Sequence, residues 1–308
     1  MLIYITNGKI VILMSLHKIA DIFMHTKESK GYRKFLIVTA ILILMSVAIL
    51  GSRYYQTGEL FDRSIDLKGG TLITVNTNAN VDIIELENLL KVKFGDVNVR
   101  RTTGIGTPAI IVEFSGEVDA EAILAEMKNS GIDTSVNSVQ TIGTSLGSAF
   151  WSQAQIGIVS AFIIMGIIVF ILFRRPVPSI LVIICAVFDI TTALAFMQVF
   201  GVQFSLASLA AILMLIGYSV DTDIMLTSRL LKETDAPFAE RFRRSLKTGL
   251  TETITSIVAV SALVISAISP VLSEIAAVLL IGLVADIIYT WTMNSVLLRW
   301  YMDKKGMI

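Results

Sequence analysis

The chain has 308 residues, of which 54% are hydrophobic and 16% charged, against about 25% charged in an ordinary soluble domain, and its mean hydropathy is +0.76. Lysine plus arginine and aspartate plus glutamate stand at 25 each, so net charge points to neither nucleic acid nor an acidic partner, and the placement of charge carries the information instead. This composition excludes a wholly soluble fold and describes an integral membrane protein, while a single cysteine, Cys185, excludes an internal disulfide framework and a multi-cysteine metal site.

The first residues, MLIYITNGKIVIL, read either as an interfacial segment or as a stretch upstream of a start at Met14, and segment 1–33 receives no function. An apolar run at 34–52 follows. It is too long for the core of a signal peptide and has no A-x-A-like site after it, so it is expected to stay as an anchor across the lipid bilayer. From 53 to 150 the composition becomes that of a soluble domain. Ser64 to Thr77 is rich in β-branched residues and predicts a strand. Asp82 to Phe94 has Ile83, Leu86, Leu89 and Leu90 at helical spacing, with Asp82 as a cap. Strands are predicted at Val97 to Thr102 and Ala109 to Phe114, joined by a GIGTP turn. A helix is predicted from Asp119 to Asn129, closed by Gly131, and a last strand from Thr134 to Ile142. The order β-α-β-β-α-β is that of a ferredoxin-like split βαβ domain.

Five more apolar runs, roughly 154–173, 178–200, 205–228, 249–269 and 273–298, are long enough or nearly so to cross a ~30 Å hydrocarbon layer. They form a bundle over 151–299, with a tail at 300–308. The fold class expected is therefore a polytopic α-helical membrane protein of six transmembrane helices, with an α+β domain between helices 1 and 2. Lys27, Lys30, Arg33 and Lys34 precede the first run, Arg174 and Arg175 separate the second from the third, Arg229 to Lys247 is rich in bases, and Arg299, Lys304 and Lys305 follow the sixth. Residues 201–203 and 270–272 carry none. The excess of bases places both termini in the cytoplasm of a multi-pass plasma-membrane protein and residues 53–150 outside it.

The charged residues well inside the runs are all acids: Asp189 in the third, Asp221 and Asp223 in the fourth, Glu252 in the fifth and Asp286 in the sixth. An acid at the bilayer centre costs at least ~2.5 kcal/mol on insertion scales, so each needs a proton, water, hydroxyl or backbone donors, or a base from another chain. These five are the ion-coupling candidates. At 100° per residue Asp221 and Asp223 lie 200° apart, with Tyr218, Ser219 and Thr222 in the arc between them, so the fourth helix is expected to have a broad polar side. Leu213, Ile216, Val220 and Ile224 form its apolar arc, and Gly217 is expected to permit a close helix contact. Eight residues from Arg229, Asp221 lies about 12 Å inside the basic boundary, a depth at which Glu252 is expected to meet it. The alternative to a relay is structural, with neutral acids bonded to Thr222, Thr253, Thr255 or Tyr218. Glu274 reads as interfacial and bland.

No P-loop motif occurs, and GIGTPA and GTSLG lack the strand-to-helix context of phosphate loops. The only histidines, His17 and His25, sit in the terminal segment. No catalytic residue, metal site or cofactor is expected, and the chain does not read as an enzyme.

At this point the residues match a family. One anchor helix, an extracytoplasmic domain opening with SIDLKGGT (Asp66, Gly69, Gly70 and Thr71 among its motif residues), VQTIGTSLGSAF leading into five helices, and GYSVDTD at 217–223 resemble the SecF family. Its members are the smaller of the paired SecD/SecF membrane subunits that accompany the Sec protein-translocation channel. The resemblance covers nearly the whole chain. It implies half of a resistance-nodulation-division type transporter, paired with a SecD-like subunit and acting late on a translocating polypeptide, with acids of the fourth helix in proton-driven cycling. Two departures stand out. Bacterial members read Asn-Asp-Thr where Asp221, Thr222 and Asp223 stand here, and they carry an arginine at the position of Glu252, so an Asp–Arg relay does not carry over intact. The Asp-Thr-Asp form resembles archaeal members. An autonomous small-molecule or lipid exporter and a passive scaffold of the translocase are the other readings.

Overall fold

A computed structural model of the chain describes residues 5–6, 9–10, 34–76, 81–95, 97–102, 109–114, 116, 118–129, 135–266 and 269–307. The predicted GIGTP turn, Gly131 and the histidines lie outside them. Strands β1 (Ile5–Thr6) and β2 (Lys9–Ile10) pair antiparallel near the N-terminus. The first long helix, α1 (Phe35–Thr57), is stopped by Gly58, whose left-handed φ of 74° a side chain would strain.

The α+β domain follows. Its first predicted strand is in part a helical turn: the Ser64 hydroxyl accepts the Asp66 N–H at 3.2 Å and starts α2 (Ile65–Lys68), which ends at Gly69 with φ 80°. The strand proper, β3, is Gly70–Asn76. Helix α3 (Ile83–Phe94) is capped by Asp82, which accepts the amides of Ile84 at 2.9 Å and Glu85 at 3.3 Å. Then come β4 (Val97–Thr102), β5 (Ala109–Phe114), α4 (Ala120–Asn129) and β6 (Ser135–Ile142). The sheet order is β4-β5-β3-β6, antiparallel throughout. Alternate residues Ile73 and Val75, Val97 and Val99, and Ile110, Val112 and Phe114 bury one face against Leu86 and Leu90 of α3 and Ile123 and Met127 of α4. Each such side chain contributes about 1.5–3 kcal/mol of burial, enough for the domain to hold a core of its own.

The remaining helices are α5 (Thr144–Phe173), α6 (Pro176–Val199), α7 (Leu206–Lys232), α8 (Phe238–Ser266), and α9 (Pro270–Tyr289) running through a π-helical turn, Thr290–Asn294, into α10 (Ser295–Lys304). With α1 they give six helices long and apolar enough to cross a membrane. Two, α5 and α8, start ten or more residues before their apolar runs. The first turns of α5 lie against the α+β domain, and the polar start of α8 places Phe242 and Leu246 against Leu226 and Leu230 of α7. Pro176 and Pro270 open α6 and α9 at positions where a missing N–H costs nothing. Ser205 and Ser208 exchange bonds across the first turn of α7, at 3.1 and 2.6 Å. Helices α6 and α7 are the most enclosed, with Val182, Ala186 and Ala193 packed with Ala211, Ile212 and Leu215. Gly282 of α9 receives Leu215 where a Cβ would overlap it.

Candidate functional site

Three of the five predicted acids converge inside the bundle. Asp189 of α6, Asp223 of α7 and Asp286 of α9 are each at most 1% exposed. The Ser219 hydroxyl donates to Asp189 Oδ2 at 2.5 Å. Asp223 Oδ1 accepts from Thr290 Oγ1 at 2.9 Å and from Asn294 Nδ2 at 2.7 Å. The same Thr290 hydroxyl lies 3.2 Å from Asp286 Oδ1. A hydroxyl carries one hydrogen, so it can donate to only one of these carboxyls, and a hydrogen bond to the other requires a proton on that carboxyl. The polar seam continues through Thr192, 2.7 Å from the Tyr289 hydroxyl, to Ser46 of α1, which donates to Thr192 at 3.1 Å. Thr290 and Asn294 bound the π-helical turn, so the irregular segment of the last helix is the one that faces Asp223. Asp189 Oδ1, Asp223 Oδ2 and Asn294 Oδ1 are buried without a hydrogen-bond partner among the described residues.

The other two acids are elsewhere. Asp221 is exposed, and Gly217 and Tyr218 share its outward side. The broad polar arc predicted for the fourth helix is therefore two faces: Ser219, Thr222 and Asp223 turn into the bundle, and Gly217, Tyr218 and Asp221 turn away from it. Gly217 is not at a close helix contact, since a Cβ there would meet nothing within 4 Å; close approach falls instead at Gly282 and at Gly249, which abuts Trp291 and Met225. Glu252 is exposed on α8 in a groove with Lys247, Thr248, Thr251, Thr255 and Ser256, and among the described residues no hydrogen bond joins it to Asp221. The hydroxyls expected to hold the acids turn back on their own helices: Thr222 to Tyr218 O, Thr253 to Gly249 O and Thr255 to Thr251 O. A hydroxyl one turn from a carbonyl on its own helix satisfies itself locally, so the donors to the acids come from Ser219, Thr290 and Asn294 instead.

At its N-terminal end α7 is bound to the α+β domain. Glu113 of β5 is 4% exposed and pairs with Arg100 of β4. Gln203, two residues before the cap of α7, donates to Glu113 Oε2 at 2.6 Å and accepts from Arg100 at 3.1 Å, closing a three-residue ring. Phe204 exchanges backbone bonds with the strand-like segment leaving α1, Ser64 N to Phe204 O at 2.9 Å and Phe204 N to Asp62 O at 2.7 Å. Ser205 donates to Glu274 at the start of α9, so Glu274 fastens one helix end to another. The motif residues of SIDLKGGT build the seam between domain and bundle. Gly69 lies against Thr144, Gly70 against the Phe114 carbonyl, and Thr71 Oγ1 donates to Gly116 O at 3.3 Å; Asp66 sits in the half-buried first turn of α2. Arg100, Glu113 and Gln203 went unnoticed in the sequence because nothing local ties positions so far apart. Thr290 and Asn294 had a signal: with Asp286 they repeat every four residues on one face of an otherwise apolar helix.

A six-helix bundle with buried carboxyls and a ferredoxin-like insert after its first helix defines a multi-pass membrane protein. The family model described as protein export membrane protein SecD/SecF, C-terminal, matches residues 122–304. The chain is 38% identical to the protein-export membrane protein SecF of Methanothermobacter thermautotrophicus, over 90% of this chain and 95% of that one. It is also 38% identical to SecF of Pyrococcus furiosus, over 89% and 92% of the two chains, and 35% identical to SecF of Methanocaldococcus jannaschii, over 89% and 97%. Among solved structures, SecDF of Thermus thermophilus, described as a translocon-associated membrane protein, superposes with a TM-score of 0.72 at 21% identity. That match takes in 90% of this chain and 39% of the longer SecDF chain, and it speaks for the fold alone. The chain belongs to the SecF family of protein-export membrane proteins.

Proposed function

We propose that the protein is an auxiliary subunit of the Sec export machinery, pairing with a SecD-like subunit beside the Sec channel to assist late, extracytoplasmic stages of polypeptide translocation. In this reading it spans the plasma membrane with both termini cytoplasmic and the α+β domain outside, following the distribution of Lys and Arg. It works as a transport subunit and not as an enzyme, with no cofactor, metal or nucleic acid. Its segments act as a cytoplasmic stretch 1–33, an anchor 34–52, a domain 53–150 that handles or follows the emerging chain, a five-helix bundle 151–299 and a tail 300–308.

The observation that carries the reading is the build of α7. In its middle is Asp223, in a buried cluster of carboxyls that binds and releases a proton at the cost of rearranging Thr290 and Asn294. At its end are Gln203, Phe204 and Ser205, bonded to the α+β domain and to α9. A shift of α7 on protonation therefore reaches the domain without a flexible joint, which is the layout an ion-driven assistant of translocation needs. The test is Asp223→Asn in native membranes. Ion-gradient dependence of export is lost while the subunit still assembles. Gradient dependence that survives the change sinks the coupling and leaves the buried acids as hydrogen-bonding glue.

A further inference from the structure

The last membrane helix has an irregularity that its sequence does not require. Residues 283–305 contain neither glycine nor proline, two common causes of a break, yet α9 passes into α10 through the π-helical turn Thr290–Asn294. The Ser295 N–H reaches back five residues to Thr290 O, where an α-helix would send it four residues back to Trp291 O. The Trp291 carbonyl is taken by the Ser295 hydroxyl instead, which donates to it at 2.7 Å. Ser295 is fully buried, so solvent cannot replace that donor. Inside the turn, the Thr292 hydroxyl donates to Ile288 O at 2.5 Å and, having one hydrogen, accepts from Thr39 of α1 at 2.7 Å. Side chains therefore hold the turn open. Its effect on the site is geometric. In an α-helix a step of four residues overshoots a full turn by about 40°, so Asp286, Thr290 and Asn294 would fan across about 80°. A π turn closes its bonds over five residues, so the step from Thr290 to Asn294 falls short of a full turn and cancels the fan. Thr290 and Asn294 thereby both reach one oxygen, Asp223 Oδ1, at 2.9 and 2.7 Å.

We propose that Ser295 is a positioning residue for Asp223: by occupying the Trp291 carbonyl, its hydroxyl keeps the π turn open and so keeps Asn294 in line with Thr290 on the carboxyl. The inference rests on the reading of Asp223 as the ion-coupling acid and adds what holds its donors in place. Among the described residues no hydrogen bond joins Ser295 to an acid, so it acts through the backbone of the turn. With the hydroxyl gone, Trp291 O is left to the amide of residue 295, which is the bond an α-helix makes. Alanine favours that form as the strongest helix former. Tightening the turn swings Asn294 away from Thr290, and Asp223 Oδ1 keeps one of its two donors. The turn also joins α7, through Asp223, to the anchor helix α1, through Thr292 and Thr39, so its geometry is felt beyond α9.

Infrared difference spectra between acid and neutral pH, taken in native membranes holding the whole complex, test this, with the Asp223 band identified by its loss in Asp223→Asn. Ser295→Ala should shift that band and lower gradient-dependent export several-fold. Ser295→Thr, which keeps the hydroxyl, should restore both. An Asp223 band that stays in place in Ser295→Ala overturns the inference. A shift that Ser295→Thr fails to restore overturns it as well, because the effect then belongs to packing around residue 295 and not to its hydroxyl. Gradient dependence that survives Asp223→Asn removes the function proposed above, while the band in Ser295→Ala and Ser295→Thr still decides by itself whether Ser295 positions the donors of the carboxyl.

Discussion

The seam between the α+β domain and the bundle makes a sharp prediction because it consists of backbone against backbone. Gly147, in the first turn of α5, sits over α2, and a Cβ built on it comes within 2.8 Å of the Lys68 carbonyl carbon and 3.1 Å of the Gly69 Cα, with the Gly69 nitrogen nearer still. No side-chain rotation relieves that overlap; either α2 or α5 must move. Overpacking of this kind costs about 1–3 kcal/mol. Alanine returns about 1 kcal/mol over glycine inside a helix, so Gly147→Ala should be destabilising by roughly 0–2 kcal/mol. Gly157 is on the same helix with nothing within 4 Å of its Cβ position, and there the same substitution should stabilise by about 1 kcal/mol. The two changes should therefore differ by about 1–3 kcal/mol. Thermal unfolding of the purified chain in mild detergent measures this, since 1 kcal/mol moves a midpoint by about 2–4 °C in chains of 150–250 residues. Trypsin cleavage after Lys68 should also quicken in Gly147→Ala only. Equal midpoints for the two variants would refute the claim that the domain is seated on α5 through this contact.

Asp223→Leu strands the Asn294 amide in the interior, at roughly 1–3 kcal/mol, while the Thr290 hydroxyl turns to Asp286; Asp221→Leu should leave the melting of the isolated chain unchanged. Similar melting losses for both would contradict the division of α7 into an inner and an outer face. Gln203→Leu opens the ring with Arg100 and Glu113, so hydrogen exchange in the peptide spanning 200–206 should rise while exchange in the core strand β3 stays slow; an unchanged 200–206 peptide would show that the ring does not hold the turn. Thr290→Val removes the hydroxyl between Asp223 and Asp286 at nearly constant volume and should abolish gradient-dependent export, while Thr290→Ser retains it; equal export from both would take the hydroxyl out of the mechanism.

Hydrophobic run length and the alternation of apolar residues were enough to read six helices and the βαββαβ domain, because both follow from local periodicity. The Asp82 cap was legible for the same reason. The SIDLKGG stretch misled, since the β-branched count hid a serine that caps a single helical turn. For the site, periodicity placed the acids on helices but could not tell which side of α7 faces the bundle. That side is set by Leu215 settling onto Gly282 and by the capping serines, contacts between residues far apart in the chain. The ring of Arg100, Glu113 and Gln203 is of the same kind: three ordinary polar residues that mean nothing until the sheet and the α6–α7 turn are side by side.

The pairing of β3 with β6 puts Gly70 opposite Ile142, so the chain enters and leaves the α+β domain through one narrow doorway. A segment whose two ends adjoin can be exchanged, enlarged or trimmed while the membrane helices on either side keep their connection. What limits such a graft is small and can be named. A replacement domain must offer a glycine-thin floor for Gly147 and a carboxylate with its arginine for Gln203. The bundle and the domain are in this sense separate modules joined by a short list of terms, and a chimera that keeps those terms while changing every other residue of the domain should still fold onto the membrane half.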